Sequence, residues 1–184
     1  MVLVYGGAFN PPTKAHQEII SELNRTFKPS KFIIVPVGTT YDHKHNLVEF
    51  EHRYQMLSIS IKDLPYDIEI SRLEENGAFL GTYHTLKELS KTYDNLYFVV
   101  GTDHLSTLET WKNHDELLKS FGFIVILRKN YPADFTVFDH YQTPYYTFKY
   151  DSEIASSKIR SEIHKYKQDL VKEVYDYILK NQLY

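Results

Sequence analysis

Val2-Leu3-Val4-Tyr5 runs straight into Gly6-Gly7-Ala8-Phe9-Asn10-Pro11-Pro12-Thr13-Lys14-Ala15-His16, an apolar strand-like run followed by a glycine turn and the opening of a helix. Adjacent glycines let the backbone turn sharply and approach a ligand closely, and the prolines stiffen the exit. Thr13 is placed to cap the following helix, whose first backbone N–H groups have no intrahelical partner and attract an anion. His16 then falls one turn into that helix, beside the phosphates and not as a nucleophile. Strand, glycine turn and Thr-x-x-His together predict a phosphate site for a nucleotide. Taken alone, the same residues also describe any α/β turn with a capping histidine, so the rest of the chain has to decide.

Working outward, Phe32 to Val37, Tyr97 to Val100 and Phe123 to Leu127 are, like Val2 to Tyr5, too continuously apolar for half-exposed strands and read as buried parallel strands. Helical spacing separates them: Ile19, Ile20 and Leu23 within Lys14 to Phe27, Tyr54, Leu57 and Ile61 within Phe50 to Leu64, and Leu86 and Leu89 within Thr82 to Tyr93. A further strand is expected at Asp67 to Leu73. After Arg128 the pattern changes: Pro132, the short Thr136-Val137-Phe138 run and the tyrosine-rich Tyr141 to Tyr150 read as an irregular edge segment, followed by two helices from about Ser157 onward. The expected fold is α/β: a doubly wound, Rossmann-like parallel sheet with helices on both faces, and a small C-terminal helical segment at about 155–184. Residues 1–184 read as one domain, long enough to bury a sizeable core. In such a sheet the ligand crevice lies beyond the carboxyl ends of the strands.

Composition narrows the function classes. A net charge of −3 provides no basic field for nucleic acid, and the 16 tyrosines are not interleaved with a basic stripe, so they read as half-buried packing residues. The absence of cysteine excludes disulfides, thiolate metal sites and cysteine catalysis, and fits a reducing compartment. The longest apolar run, Phe123 to Leu127, is strand-sized, so no membrane span is expected. The apolar first residues lack a basic leader and meet the glycine turn at once, so no signal peptide is expected either. The expected setting is the cytoplasm. Apolar surface on the tyrosine-rich segment would suit a homo-oligomeric contact.

Three more segments carry candidate chemistry. Phe98-Val99-Val100-Gly101-Thr102-Asp103 sets a carboxylate just past a central strand, where Asp103 would accept hydrogen bonds from ribose hydroxyls or cap a helix. Trp111, the only tryptophan, is either a core aromatic or a platform for a flat heteroaromatic ring. Ile154-Ala155-Ser156-Ser157-Lys158-Ile159-Arg160 puts two hydroxyls, free N–H groups and two cations at a helix entry, a second polyphosphate site or an ordinary serine-capped helix. Beyond the second strand, Asp42-His43-Lys44-His45 offers Lys44 as a mobile point charge for a triphosphate. His43, His45 and His52 match no common zinc spacing, and no metal ligand set is expected.

Four motifs in order, Gly-Gly-Ala-Phe-Asn-Pro-x-x-x-x-His, a loop His-Lys, Gly-x-Asp-x-x-x-x-Leu-x-x-Trp and Ile-x-Ser-Ser-x-Ile-Arg, resemble the nicotinate mononucleotide adenylyltransferases of the nucleotidylyltransferase superfamily. The resemblance extends to His52-Arg53, Met56-Leu57, Thr82, Thr85 and Leu86, and to Tyr177-Ile178 and Leu183-Tyr184. It implies transfer of AMP from ATP to nicotinate mononucleotide, giving deamido-NAD and pyrophosphate, with Mg²⁺ carried mainly by ATP. It also implies roles. His16, Lys44 and Arg160 would be catalytic. Gly6, Gly7, Thr13, His16, Lys44, Gly101, Asp103, Ser156, Ser157 and Arg160 would hold ATP. Ala8, Phe9, Asn10, Thr82, Thr85 and Trp111 would bound the pyridine nucleotide. The chain departs from the bacterial pattern at Asn10, where Asp is usual, at Thr13 for His, at Ala15 for Gly and at His84 for Asp, and its segment between Arg160 and Leu170 is short. Nicotinamide mononucleotide or phosphopantetheine as acceptor, and a silent nucleotide-binding module, stand as the alternatives.

Overall fold

The computed structural model describes residues 1–38, 46–76, 79–129 and 131–184. Its strands are β1 (Val2–Gly7), β2 (Lys31–Pro36), β3 (Ile68–Ile70), β4 (Leu96–Gly101), β5 (Gly122–Leu127) and β6 (Tyr145–Lys149). Its α-helices are α1 (Lys14–Phe27), α2 (Phe50–Ile61), α3 (Thr82–Leu89), α4 (His114–Ser120), α5 (Thr136–Tyr141), α6 (Ser156–Ser161) and α7 (Lys172–Lys180). The strands form one sheet in the order β3-β2-β1-β4-β5-β6, and every neighbouring pair is parallel. Strand order reverses between β1 and β4, which makes their carboxyl ends the switch point at which such sheets bind ligands.

The strands predicted as buried are covered on both faces. Val2, Val4, Ile33, Val35, Val100 and Val125 pack with Leu86, Leu117, Leu118 and Phe138. The alternate positions Leu3, Phe32, Ile34, Val99 and Ile124 pack with Ile19, Ile20 and Leu23 of α1 and Leu57 of α2. This period-two division between two helical layers is why the runs read as continuously apolar. A third cluster joins Met56 of α2 to Ile159, Leu170, Val174 and Ile178, and so docks the C-terminal helical segment on α2. Among the described residues no helix is long and apolar enough to cross a membrane.

Several expectations need correction. Thr136-Val137-Phe138 is not part of an irregular edge but opens α5, because Phe138 is drawn fully into the core beside Phe123, their rings 5.0 Å apart. Within the tyrosine-rich segment, Tyr145–Lys149 is a regular edge strand paired with β5. Only one side of an edge strand is paired, so β6 lacks the apolar continuity of the central strands. The strand expected at Asp67 to Leu73 has three residues, Ile68–Ile70. α2 stops at Ile61 and α3 at Leu89, each short of its predicted end. The 3-10 helix Thr102–Thr110 and α4 carry no clear helical periodicity and were not predicted.

Candidate active site

A cavity of about 620 Å³ opens beyond the carboxyl ends of β1 and β4. Its walls bring together residues far apart in sequence: Gly6, Gly7, Ala8, Phe9, Asn10 and His16 from the opening segment, Thr82 and Thr85 of α3, Gly101, Asp103 and Trp111 after β4, and Ser156, Ser157 and Arg160 of α6. Thr13 does not line it. That threonine is buried and forms a capping box with His16, so any effect it has on a phosphate passes through the histidine. Lys44, with His43 and His45, lies outside the described residues.

The capping box fixes the chemistry of His16. Thr13 N donates to His16 Nδ1 at 3.0 Å, while the Thr13 hydroxyl lies 2.8 Å from the same nitrogen and accepts from His16 N at 3.4 Å. A ring nitrogen that accepts a backbone N–H carries a lone pair, so in the neutral imidazole the proton resides on Nε2. The ring packs edge-on against Phe9, centroids 5.1 Å apart. Tyr5, also in the wall, keeps its proton, since burial pushes the phenol up to about 12.

The turn that follows β1 is clamped from three other parts of the chain. Arg53, completely buried on α2, donates through Nη1 to Ala8 O at 3.1 Å and through Nε to Val48 O at 2.9 Å. Arg160 Nη1 donates to Asn10 O at 2.6 Å and Ser156 Oγ to Pro11 O at 2.9 Å. Asn10 Oδ1 accepts from Tyr184 Oη at 2.6 Å and from Val48 N at 3.3 Å, and Asn10 Nδ2 donates to Asn46 O at 3.0 Å. The Asn10 side chain is thus occupied within the protein. It stands in the cavity wall, held there by these bonds. Lys158 does not join this site, because its exposed ammonium donates to Glu153 O.

At the end of β4, Gly101 makes room for a carboxylate: a Cβ there would lie 2.2 Å from Asp103 Oδ1. Gly101, not Asp103, is the N-cap of the 3-10 helix. Asp103 Oδ2 instead faces Arg128 Nη1 at 3.4 Å, and Oδ1 is buried without a hydrogen-bond partner. Trp111 packs edge-on against Phe98 at 6.2 Å between centroids and also lines the cavity. Sequence reading missed Arg128, Phe79 and Glu74, which also line it. Arg128 directly follows β5, at the carboxyl edge where ligands bind, and that position was its available signal. Glu74 accepts a hydrogen bond from Thr85 Oγ1 at 2.6 Å, and burial holds its carboxyl above the ordinary value while the threonine hydroxyl pulls it back. Among the described residues no group of three or more His, Asp or Glu side chains is arranged to hold a metal ion.

A family model described as cytidylyltransferase-like matches residues 4–162. A relative from Acholeplasma laidlawii, named probable nicotinate-nucleotide adenylyltransferase, is 48% identical over 184 residues, covering 100% of this chain and 97% of its own. A protein of the same name from Carboxydothermus hydrogenoformans is 30% identical, over 98% of this chain and 96% of its own. Among solved structures, Plasmodium falciparum nicotinic acid mononucleotide adenylyltransferase complexed with NaAD superposes with a TM-score of 0.82 at 26% identity, covering 99% of this chain and 96% of that one. The same protein complexed with APC superposes with a TM-score of 0.81.

Proposed function

The chain belongs to the cytidylyltransferase-like family, among the nicotinate-nucleotide adenylyltransferases, and from that premise we propose that its crevice joins nicotinate mononucleotide to the AMP moiety of ATP in NAD biosynthesis. The observation that carries this reading is the convergence of the β1 turn, His16, Arg160 and the Trp111 wall on one cavity at the switch point of the sheet. An oxygen of the mononucleotide phosphate forms a bond to the α-phosphorus of ATP. The bond from that phosphorus to the bridging oxygen breaks, and pyrophosphate leaves with the electron pair. No side chain needs to form a covalent bond, so the chain contributes alignment and charge neutralisation.

In this reading His16 donates from Nε2 to a phosphate oxygen, and Arg160, Ser157 and Lys44 gather the charge that builds on the departing pyrophosphate. Gly6 and Gly7 admit the phosphates close to the backbone, and Asp103, oriented by Arg128, accepts from the adenosine ribose. Ala8, Phe9, Thr82, Thr85 and Trp111 bound the pyridine nucleotide. A Mg²⁺ ion bound to the ATP phosphates would neutralise part of their charge, and its ligands would be phosphate oxygens and water more than protein carboxylates. A chain without cysteine suits the cytoplasm, where we place the reaction.

Product analysis tests the assignment. Purified protein given ATP and Mg²⁺ is expected to form deamido-NAD and pyrophosphate from nicotinate mononucleotide, with much lower kcat/KM for nicotinamide mononucleotide and none for phosphopantetheine. Turnover of phosphopantetheine, or ATP binding without turnover of any acceptor, would reject it.

A further inference from the structure

We propose that Glu74 is a specificity-determining residue that supplies the counter-charge to a cationic, N-linked pyridinium ring in the Trp111 wall of the cavity. Two carboxylates of the described residues line the cavity, Glu74 and Asp103. Asp103 is already opposed by Arg128 at 3.4 Å. Each of the two has one buried oxygen without a hydrogen-bond partner, Asp103 Oδ1 and Glu74 Oε2, but the other oxygen of Glu74 meets only the neutral Thr85 hydroxyl. No cation among the described residues forms an ion pair with it. Its segment is also held closely in place, since a Cβ on Gly38, just beyond β2, would lie 2.2 Å from Glu74 O.

A carboxylate oxygen withdrawn from water and left unpaired is costly, and such a group inside a binding cavity implies a partner brought by the ligand. Phe79 and Trp111 are aromatic members of the same lining, and Lys112, next to Trp111 in sequence, donates to Phe79 O at 3.1 Å. Aromatic surface plus a carboxylate that no cation among the described residues opposes suits a flat cation. A pyridine mononucleotide carries that group, because glycosylation at the ring nitrogen leaves a permanent positive charge, whereas adenine is neutral. The carboxylate therefore helps to sort the two ring systems between the two ends of the cavity. This extends the assignment of a pyridine mononucleotide to the site and rests on it.

The test compares nicotinate mononucleotide with its analogue in which a ring carbon replaces the charged nitrogen, the latter measured as a competitive inhibitor. Glu74→Gln keeps the size of the side chain and an acceptor for Thr85. It is expected to raise KM for nicotinate mononucleotide about tenfold, the loss of one partly screened charge pair. The KM for ATP and the inhibition constant of the uncharged analogue should stay at wild-type values, so that preference for the charged ring falls by the same factor. Equal weakening of both rings would show a structural role, and no weakening of either would show no role; each overturns the proposal. Failure of the wild-type protein to turn over nicotinate mononucleotide would remove the pyridine assignment itself, while normal wild-type turnover with an unchanged ratio would remove only Glu74.

Discussion

His16→Ala is expected to lower kcat about 10²- to 10³-fold, the loss that follows removal of one preorganised donor to a developing charge. The reason lies in the capping box. With Nδ1 taken by Thr13 N at 3.0 Å, the imidazole presents its Nε2 proton and one fixed ring orientation, so no reorganisation is needed as charge accumulates on the phosphates. The helix should survive the change. Thr13 still caps His16 N in the variant backbone, and the loss of one reciprocal cap is worth on the order of 1 kcal/mol. Steady-state kinetics with a parallel thermal melt separates these effects. A small shift in Tm with a collapse of kcat supports the assignment, whereas turnover near the wild-type level would remove His16 from the reaction.

Arg53→Ala should have the largest effect on stability, about 3–5 kcal/mol, the sum of two buried carbonyls left without a donor and the cavity left by a large side chain. Arg53 is fully buried, rests near the Phe50 ring at 5.5 Å, and satisfies Ala8 O and Val48 O. Its deletion strands both carbonyls and opens a cavity under the nucleotide turn. Arg53→Lys should recover only part of the loss, because an ammonium cannot reproduce the two-pronged geometry of the guanidinium. Urea unfolding monitored at Trp111 measures both variants. A loss for Arg53→Ala below about 1 kcal/mol, the worth of one ordinary hydrogen bond, would show that the clamp contributes little.

The parts of the molecule that were legible in the sequence share a physical cause. β1, β2, β4 and β5 are covered by helices on both faces, so each is written as an unbroken apolar run. The capping box and the glycine turn are local, and their residues stand within a few positions of one another. What escaped detection depends on distance or on weak burial. β6 lies at the sheet edge, where Tyr146 is 48% exposed, and α4 buries only the adjacent Leu117 and Leu118, which leaves no helical period to read. Tyr184 reaches Asn10 across 174 positions because the third core folds the C-terminal segment back onto α2. Glu74 resembles any surface glutamate in sequence, and only the packing of its segment near the end of β2 carries it into the cavity wall.

The central claim, direct transfer between two substrates aligned in one crevice, is tested most directly by exchange of labelled pyrophosphate into ATP. With nicotinate mononucleotide present, label is expected to enter ATP through reversal of deamido-NAD formation. Without it, none should enter, because no adenylyl-enzyme is formed. Label appearing in ATP in the absence of any acceptor would contradict the account.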